Sequence, residues 1–150
     1  MKNVDQLNSF LRGEISAVET YKMAIDKLAK SPHLNMLKEN LRSHEERVAQ
    51  LGAEITKGGG TPADSSGAWG TFAKLIEGAG AVFGEKSAIA ALEEGEDHGR
   101  NDYQRELNKA DATDRDLIQR MLTEQLRTHA ALSAIKKSMG GDKSAKYPQA

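Results

Sequence analysis

Two glutamates and two histidines stand where a helical chain would bury them. Gly13-Glu14 is followed seven residues after the Glu by Tyr21, and Gly95-Glu96 is followed at the same distance by Tyr103. Thirty residues past Glu14 comes Leu41-Arg42-Ser43-His44, and thirty-three past Glu96 comes Leu126-Arg127-Thr128-His129. One unit, Gly-Glu-x6-Tyr and then Leu-Arg-(Ser or Thr)-His, therefore occurs twice. Two carboxylates brought together in a dry interior repel unless a cation or a shared proton compensates them. Two imidazoles and two carboxylates form a donor set for a borderline divalent ion, Fe, Mn or Zn. The competing reading is a pair of buried Glu–His hydrogen bonds that fix helix register without metal. Glu93, one turn before Glu96, shares much of its face and joins the candidate ligands. Tyr21, Tyr103 and Gln125 are placed to support them.

The elements that must carry these residues are helices. Leu7, Leu11, Glu14, Val18, Tyr21, Ile25 and Leu28 alternate spacings of four and three, so the first helix is expected over 4–30. Ser31-Pro32 reads as a cap followed by a first-turn proline. A second helix follows over 32–56 with the seam Leu34, Leu37, Leu41, His44, Val48, Leu51 and Ile55. The turn between them is short, so the helices are antiparallel, and a 1.5 Å rise sets Glu14 and His44 roughly 5 Å apart in height. The third helix is expected over 85–110 on Ile89, Leu92, Glu96, Gly99, Tyr103 and Leu107. The fourth covers 114–138 on Ile118, Met121 or Leu122, Gln125, His129, Leu132 and Ile135, capped by Asp111–Thr113 and stopped by Gly140-Gly141. The fold class is all-α: two helical hairpins stacked as a four-helix bundle within a single domain, 1–139, ahead of a disordered tail, 140–150.

Between the hairpins lies a long crossover, 57–84, rich in Gly, Ser and Pro at first and then apolar: Trp69, Phe72, Leu75, Ile76, Val82 and Phe83. A short helix around 69–77 fits it. Trp69 and Phe72 either cap the end of the bundle or face a second copy of the chain.

At these residues the sequence resembles the ferritin-like superfamily. The run from Leu7 through Gly13-Glu14 to Tyr21 is similar to the first helix of bacterioferritins and rubrerythrins, and Gly95-Glu96 with Tyr103 is similar to the matching helix of the second half. The overall layout resembles an uncharacterised bacterial family of ferritin-like four-helix-bundle proteins. The resemblance implies a ferritin-like fold and iron ligation by glutamate. It also implies Glu-x-x-His on helices two and four, and here those Glu positions hold Leu41 and Leu126, which reduces four carboxylates to two. Glu45 and Glu124 point away from the candidate site as solvated charges. Met23, Met36 and Met121 read as core filler, so no haem is expected.

Composition narrows the function further. The 150 residues include 21 basic and 22 acidic side chains, a net charge of −1 that offers no electrostatic case for nucleic acid. There is no cysteine, hence no thiolate chemistry. No apolar run approaches the roughly 20 residues of a membrane span, and Met1–Asp5 lacks a signal-peptide core, so a cytoplasmic protein is expected. Two functions follow as expectations: a metal-binding bundle in iron or oxidative-stress handling, or a non-enzymatic structural or interaction protein on a degenerate ferritin-like fold, oligomerising through the crossover. A Glu/His hydrolase is weaker, for neither a nucleophile elbow nor a phosphate loop is present.

Overall fold

A computed structural model describes residues 3–67 and 84–145. Among these the chain is all-α, with four helices and no strand: α1 Val4–Lys27, α2 Leu34–Lys57, α3 Glu85–Leu107 and α4 Ala112–Ala145. The short helix expected near 69–77, together with Trp69 and Phe72, lies outside the described residues.

Local chemistry explains the ends. Asn3 caps α1 by accepting from the Gln6 amide at 3.0 Å. The first helix ends three residues before the expected boundary at residue 30: Leu28 leaves the helical region at φ −110°, ψ 34°. Ser31 does not cap a helix beginning at Pro32. Its hydroxyl accepts from the His33 amide at 2.9 Å and bonds the Glu85 carboxylate, and α2 starts at Leu34. The Asp111 carboxylate accepts from the Asp114 amide at 3.2 Å at the start of α4. Gly140-Gly141 does not stop α4, which continues helically to Ala145. Two glycines cost a helix about 1 kcal/mol each, a penalty that an established helix can carry.

The core is two apolar clusters with a polar layer between them. One holds Leu7, Phe10 and Leu11 of α1, Leu51 and Ile55 of α2, Tyr103 of α3 and Leu117, Ile118, Met121 and Leu122 of α4. The other holds Tyr21, Ala24 and Leu28, then Leu37, then Ala88, Ile89, Ala91 and Leu92, then Leu132 and Ile135. The order in which each helix visits the clusters gives its direction. Helices α1 and α4 run one way, α2 and α3 the other. Helix α1 packs on α2 and α3, and α4 packs on α3 and α2, so every packed pair is antiparallel. The connection from α2 to α3 joins opposite ends of this four-helix bundle, whereas the two hairpin turns are short.

Candidate functional site: a charge-balanced polar layer

Each helix sends polar side chains into the layer at the level where its apolar seam is interrupted. From α1 comes Glu14, 4% exposed. From α2 come Asn40, Ser43, His44 and Arg47, none above 3%. From α3 comes Glu96 at 2%, and from α4 Gln125 and Thr128 at 2% and 0%. Burial on this scale demands a partner for nearly every polar atom.

The partners are found crosswise. His44 lies between the two carboxylates, with Nδ1 2.5 Å from Glu14 Oε1 and Nε2 2.8 Å from Glu96 Oε2. Each ring nitrogen faces a carboxylate, which favours the doubly protonated imidazolium, while Arg47 Nη2 approaches Nε2 at 3.3 Å. Tyr21 of α1 donates to Glu96 of α3 at 2.5 Å, and Tyr103 of α3 donates to Glu14 of α1. Each phenol of the repeated Gly-Glu-x6-Tyr unit thus serves the glutamate of the other repeat. Thr128 Oγ1 and Gln125 Nε2 complete Glu96 Oε1 at 2.8 and 2.9 Å. Asn40 Nδ2 donates to the Tyr21 hydroxyl and to the Thr128 carbonyl, both at 3.0 Å.

Arg47 is the second cation and uses all five of its N–H groups. Nε donates to the Ser43 carbonyl at 3.3 Å. Nη1 donates to Glu14 Oε2 at 3.2 Å and to Gln125 Oε1. Nη2 donates to Ser43 Oγ at 3.2 Å and Thr128 Oγ1 at 3.1 Å. Two carboxylates, one imidazolium and one guanidinium sum to zero charge inside the bundle.

Proton affinities follow from this geometry. Burial opposes ionisation of Glu14 most strongly, but the charges of Arg47 and His44 with the His44 and Tyr103 hydrogen bonds outweigh it and lower its pKa to about 2. Glu96 is lowered in the same way, burial being overcome chiefly by His44. For His44, burial and the neighbouring Arg47 favour the neutral ring, yet Glu96 and Glu14 prevail and raise its pKa. Burial and the adjacent carboxylate push Tyr21 and Tyr103 well above the usual phenol value.

Of the candidate ligands read from the sequence, Glu14, His44 and Glu96 meet here, and Tyr21, Tyr103 and Gln125 donate hydrogen bonds to the carboxylates. His129 and Glu93 do not join them. His129 sits at the bundle's edge with its side chain 16% exposed, Nε2 against Asp97 and Nδ1 3.5 Å from Ser133 Oγ. Glu93 pairs with Lys136 Nζ at 2.8 Å and accepts from Ser133 at 2.7 Å. The reason is the rotation of α4: its buried seam runs Met121, Gln125, Thr128, Leu132, Ile135, so Thr128 takes the inward place given to His129. Leu126, three residues before His129, is 42% exposed. The apolar seam of α2 runs through Val48 and so passes over Arg47 in the sequence. Its signal was its spacing, since 44, 47, 51 and 55 also step by three and four.

The layer does not fit a di-metal centre. Glu14 Oε2 and both oxygens of Glu96 each accept two hydrogen bonds, both nitrogens of His44 are engaged, and a guanidinium lies against the carboxylate. Among the described residues no group of three or more His, Asp or Glu could hold a metal ion. The cavity that reaches His44 and Glu96 between α1 and α3, walled by Gly13, Ala17 and Gly95, has a volume of about 30 Å³, enough for one or two waters. Among the described residues no helix is long and apolar enough to cross a membrane.

Comparison with known proteins adds one finding. Residues 2–109 match the model of a family described as a domain of unknown function, DUF2383. The matched stretch takes in α1 to α3 and ends before α4. No curated protein and no solved structure matches the chain.

Proposed function

The chain therefore belongs to the DUF2383 family, and from that premise we propose that it is a non-enzymatic structural or interaction module on a degenerate ferritin-like bundle. Its polar layer then serves to set helix register rather than to catalyse. The observation that supports this is Arg47, a 1% exposed guanidinium with every N–H paired, standing among the carboxylates that a metal centre would need free. A buried ionic layer of this kind is costly to desolvate and tolerates only one alignment of the four helices, which suits a specificity device. The two hairpins joined by a long crossover, and the glutamates on the first and third helices, support the ferritin-like ancestry by analogy of layout.

The working surface in this reading is the crossover, whose Trp69, Phe72, Leu75, Ile76, Val82 and Phe83 supply apolar side chains for a second copy of the chain. The deciding experiment is elemental analysis of protein purified without chelator and then loaded anaerobically with Fe(II) or Mn(II). Metal well below one equivalent is the expected result. Close to one equivalent or more, lost in His44→Ala, would overturn the proposal in favour of a metal-binding bundle for iron or oxidative-stress handling. Native mass then tests the interaction surface: an oligomer that Trp69→Ala dissociates is expected, and a monomer in both forms counts against it.

A further inference from the structure

We infer that Arg47 is a built-in replacement for a bound cation, and that the oxygen cage around its guanidinium is a cation site selective for planar guanidinium-type ions. This rests on the reading above and specifies the ion that the layer is shaped for. The cage has five acceptors in the fork geometry of a guanidinium: the Ser43 carbonyl, Glu14 Oε2, Gln125 Oε1, Ser43 Oγ and Thr128 Oγ1. Only one of the five is charged, and two are hydroxyls already oriented by other bonds. Ser43 donates to Glu124 at 2.9 Å and Thr128 donates to Glu96 at 2.8 Å, which leaves their lone pairs turned to Arg47. One carboxylate oxygen with four neutral oxygens, and the His44 ring 3.3 Å from Nη2, suits a delocalised, weakly hydrated cation better than a compact divalent ion, which demands more charge and shorter contacts.

A route to the cage exists from outside. A cleft of about 470 Å³ runs between α2 and α4, rimmed by Glu46, Gln50, Arg120 and Glu124, and its floor is Ser43 and Arg47. Shortening residue 47 to alanine would join this cleft to the emptied cage. A free guanidinium compound could then enter and restore the missing charge and hydrogen bonds.

The test is thermal unfolding of Arg47→Ala in ethylguanidinium chloride at about 10 mM, with tetramethylammonium chloride and MnCl₂ as the comparison cations. The expected result is a large fall in Tm relative to wild type, of which ethylguanidinium recovers at least about half by binding the folded state, while the other two do not. Arg47→Lys keeps a charge without the fork and should sit between wild type and Arg47→Ala, with no response to ethylguanidinium. If Arg47→Ala does not fold, its refolding yield with and without ethylguanidinium is read instead. Equal recovery with tetramethylammonium would show mere screening and overturn the inference. Recovery with Mn(II) alone would also overturn it, since the cage would then be a metal site. Wild-type metal uptake decides the parent reading independently, so the two can fail separately.

Discussion

His44 and His129 end the same four-residue motif, and the structure puts them to opposite uses. His44 is 2% exposed and bridges two carboxylates from different helices. His129 is 16% exposed and meets Asp97, itself 41% exposed. Their neighbours invert as well: Arg47 follows His44 into the interior, while Leu132, at the equivalent place after His129, feeds an apolar cluster. A rotation of α4 by about one position, roughly 100° of helix, separates the two outcomes. A repeated motif thus fixes which residue types are present, but the apolar seam of each helix decides which of them face inward.

The contrast between an interior and an edge histidine can be broken most forcefully at Arg47. Its replacement by alanine should cost about 3–5 kcal/mol in urea unfolding, because two buried carboxylates are left with one cation. A loss below about 1 kcal/mol would place the guanidinium in contact with water after all. His44→Ala should cost a similar amount, and His129→Ala no more than about 1 kcal/mol. Tyr21→Phe and Tyr103→Phe should each cost about 1.5–3 kcal/mol, the worth of a hydrogen bond to a charged group, and nearly equal losses would confirm that the crossed pairs are equivalent.

Titration sharpens the same comparison. Folding raises the pKa of His44 above 6.5, so above that pH the folded chain keeps a proton that the unfolded chain has released. Stability should therefore fall as pH climbs from about 6.5 through the raised value, and His44→Gln should remove that slope. Folding lowers Glu14 from 4.5 to about 2 and lowers Glu96 too, so their contribution is present above pH 4.5 and disappears as pH drops toward 2. A small effect is also expected at Gly99. A Cβ there would lie 2.6 Å from Gln125 Nε2 and 3.0 Å from its Cδ, and Gln125 is pinned to both Glu96 and Arg47. Gly99→Ala should lose about 1 kcal/mol net despite the better helix former, measured by the same unfolding curves.

Much of this was readable from residues alone. The three-and-four spacing of apolar side chains announced four helices, and the paired Gly-Glu-x6-Tyr units pointed to two buried glutamates with tyrosines placed to support them. What spacing could not settle was rotation. On α2 both Arg47 and Val48 fit a seam, and the apolar choice favoured Val48. On α4 both Thr128 and His129 fit, and the likeness to His44 favoured the histidine. In each case the inward residue is the one that completes a charge or hydrogen-bond balance with the other three helices, a property of the assembled core rather than of any single strip of sequence. The start of α2 escapes the sequence for a simpler reason: Ser31 holds the turn through the His33 amide and Glu85 instead of capping a helix at Pro32.

The crossed phenol–carboxylate pairs have a consequence for how the molecule could be cut. A fragment holding only the first two helices would keep Glu14 and Tyr21 but lose the donor of one and the acceptor of the other. The second fragment would suffer the mirror loss at Glu96 and Tyr103. Neither half closes its own interior, so severing the chain in the crossover should yield two pieces that are poorly ordered apart and complement each other when mixed.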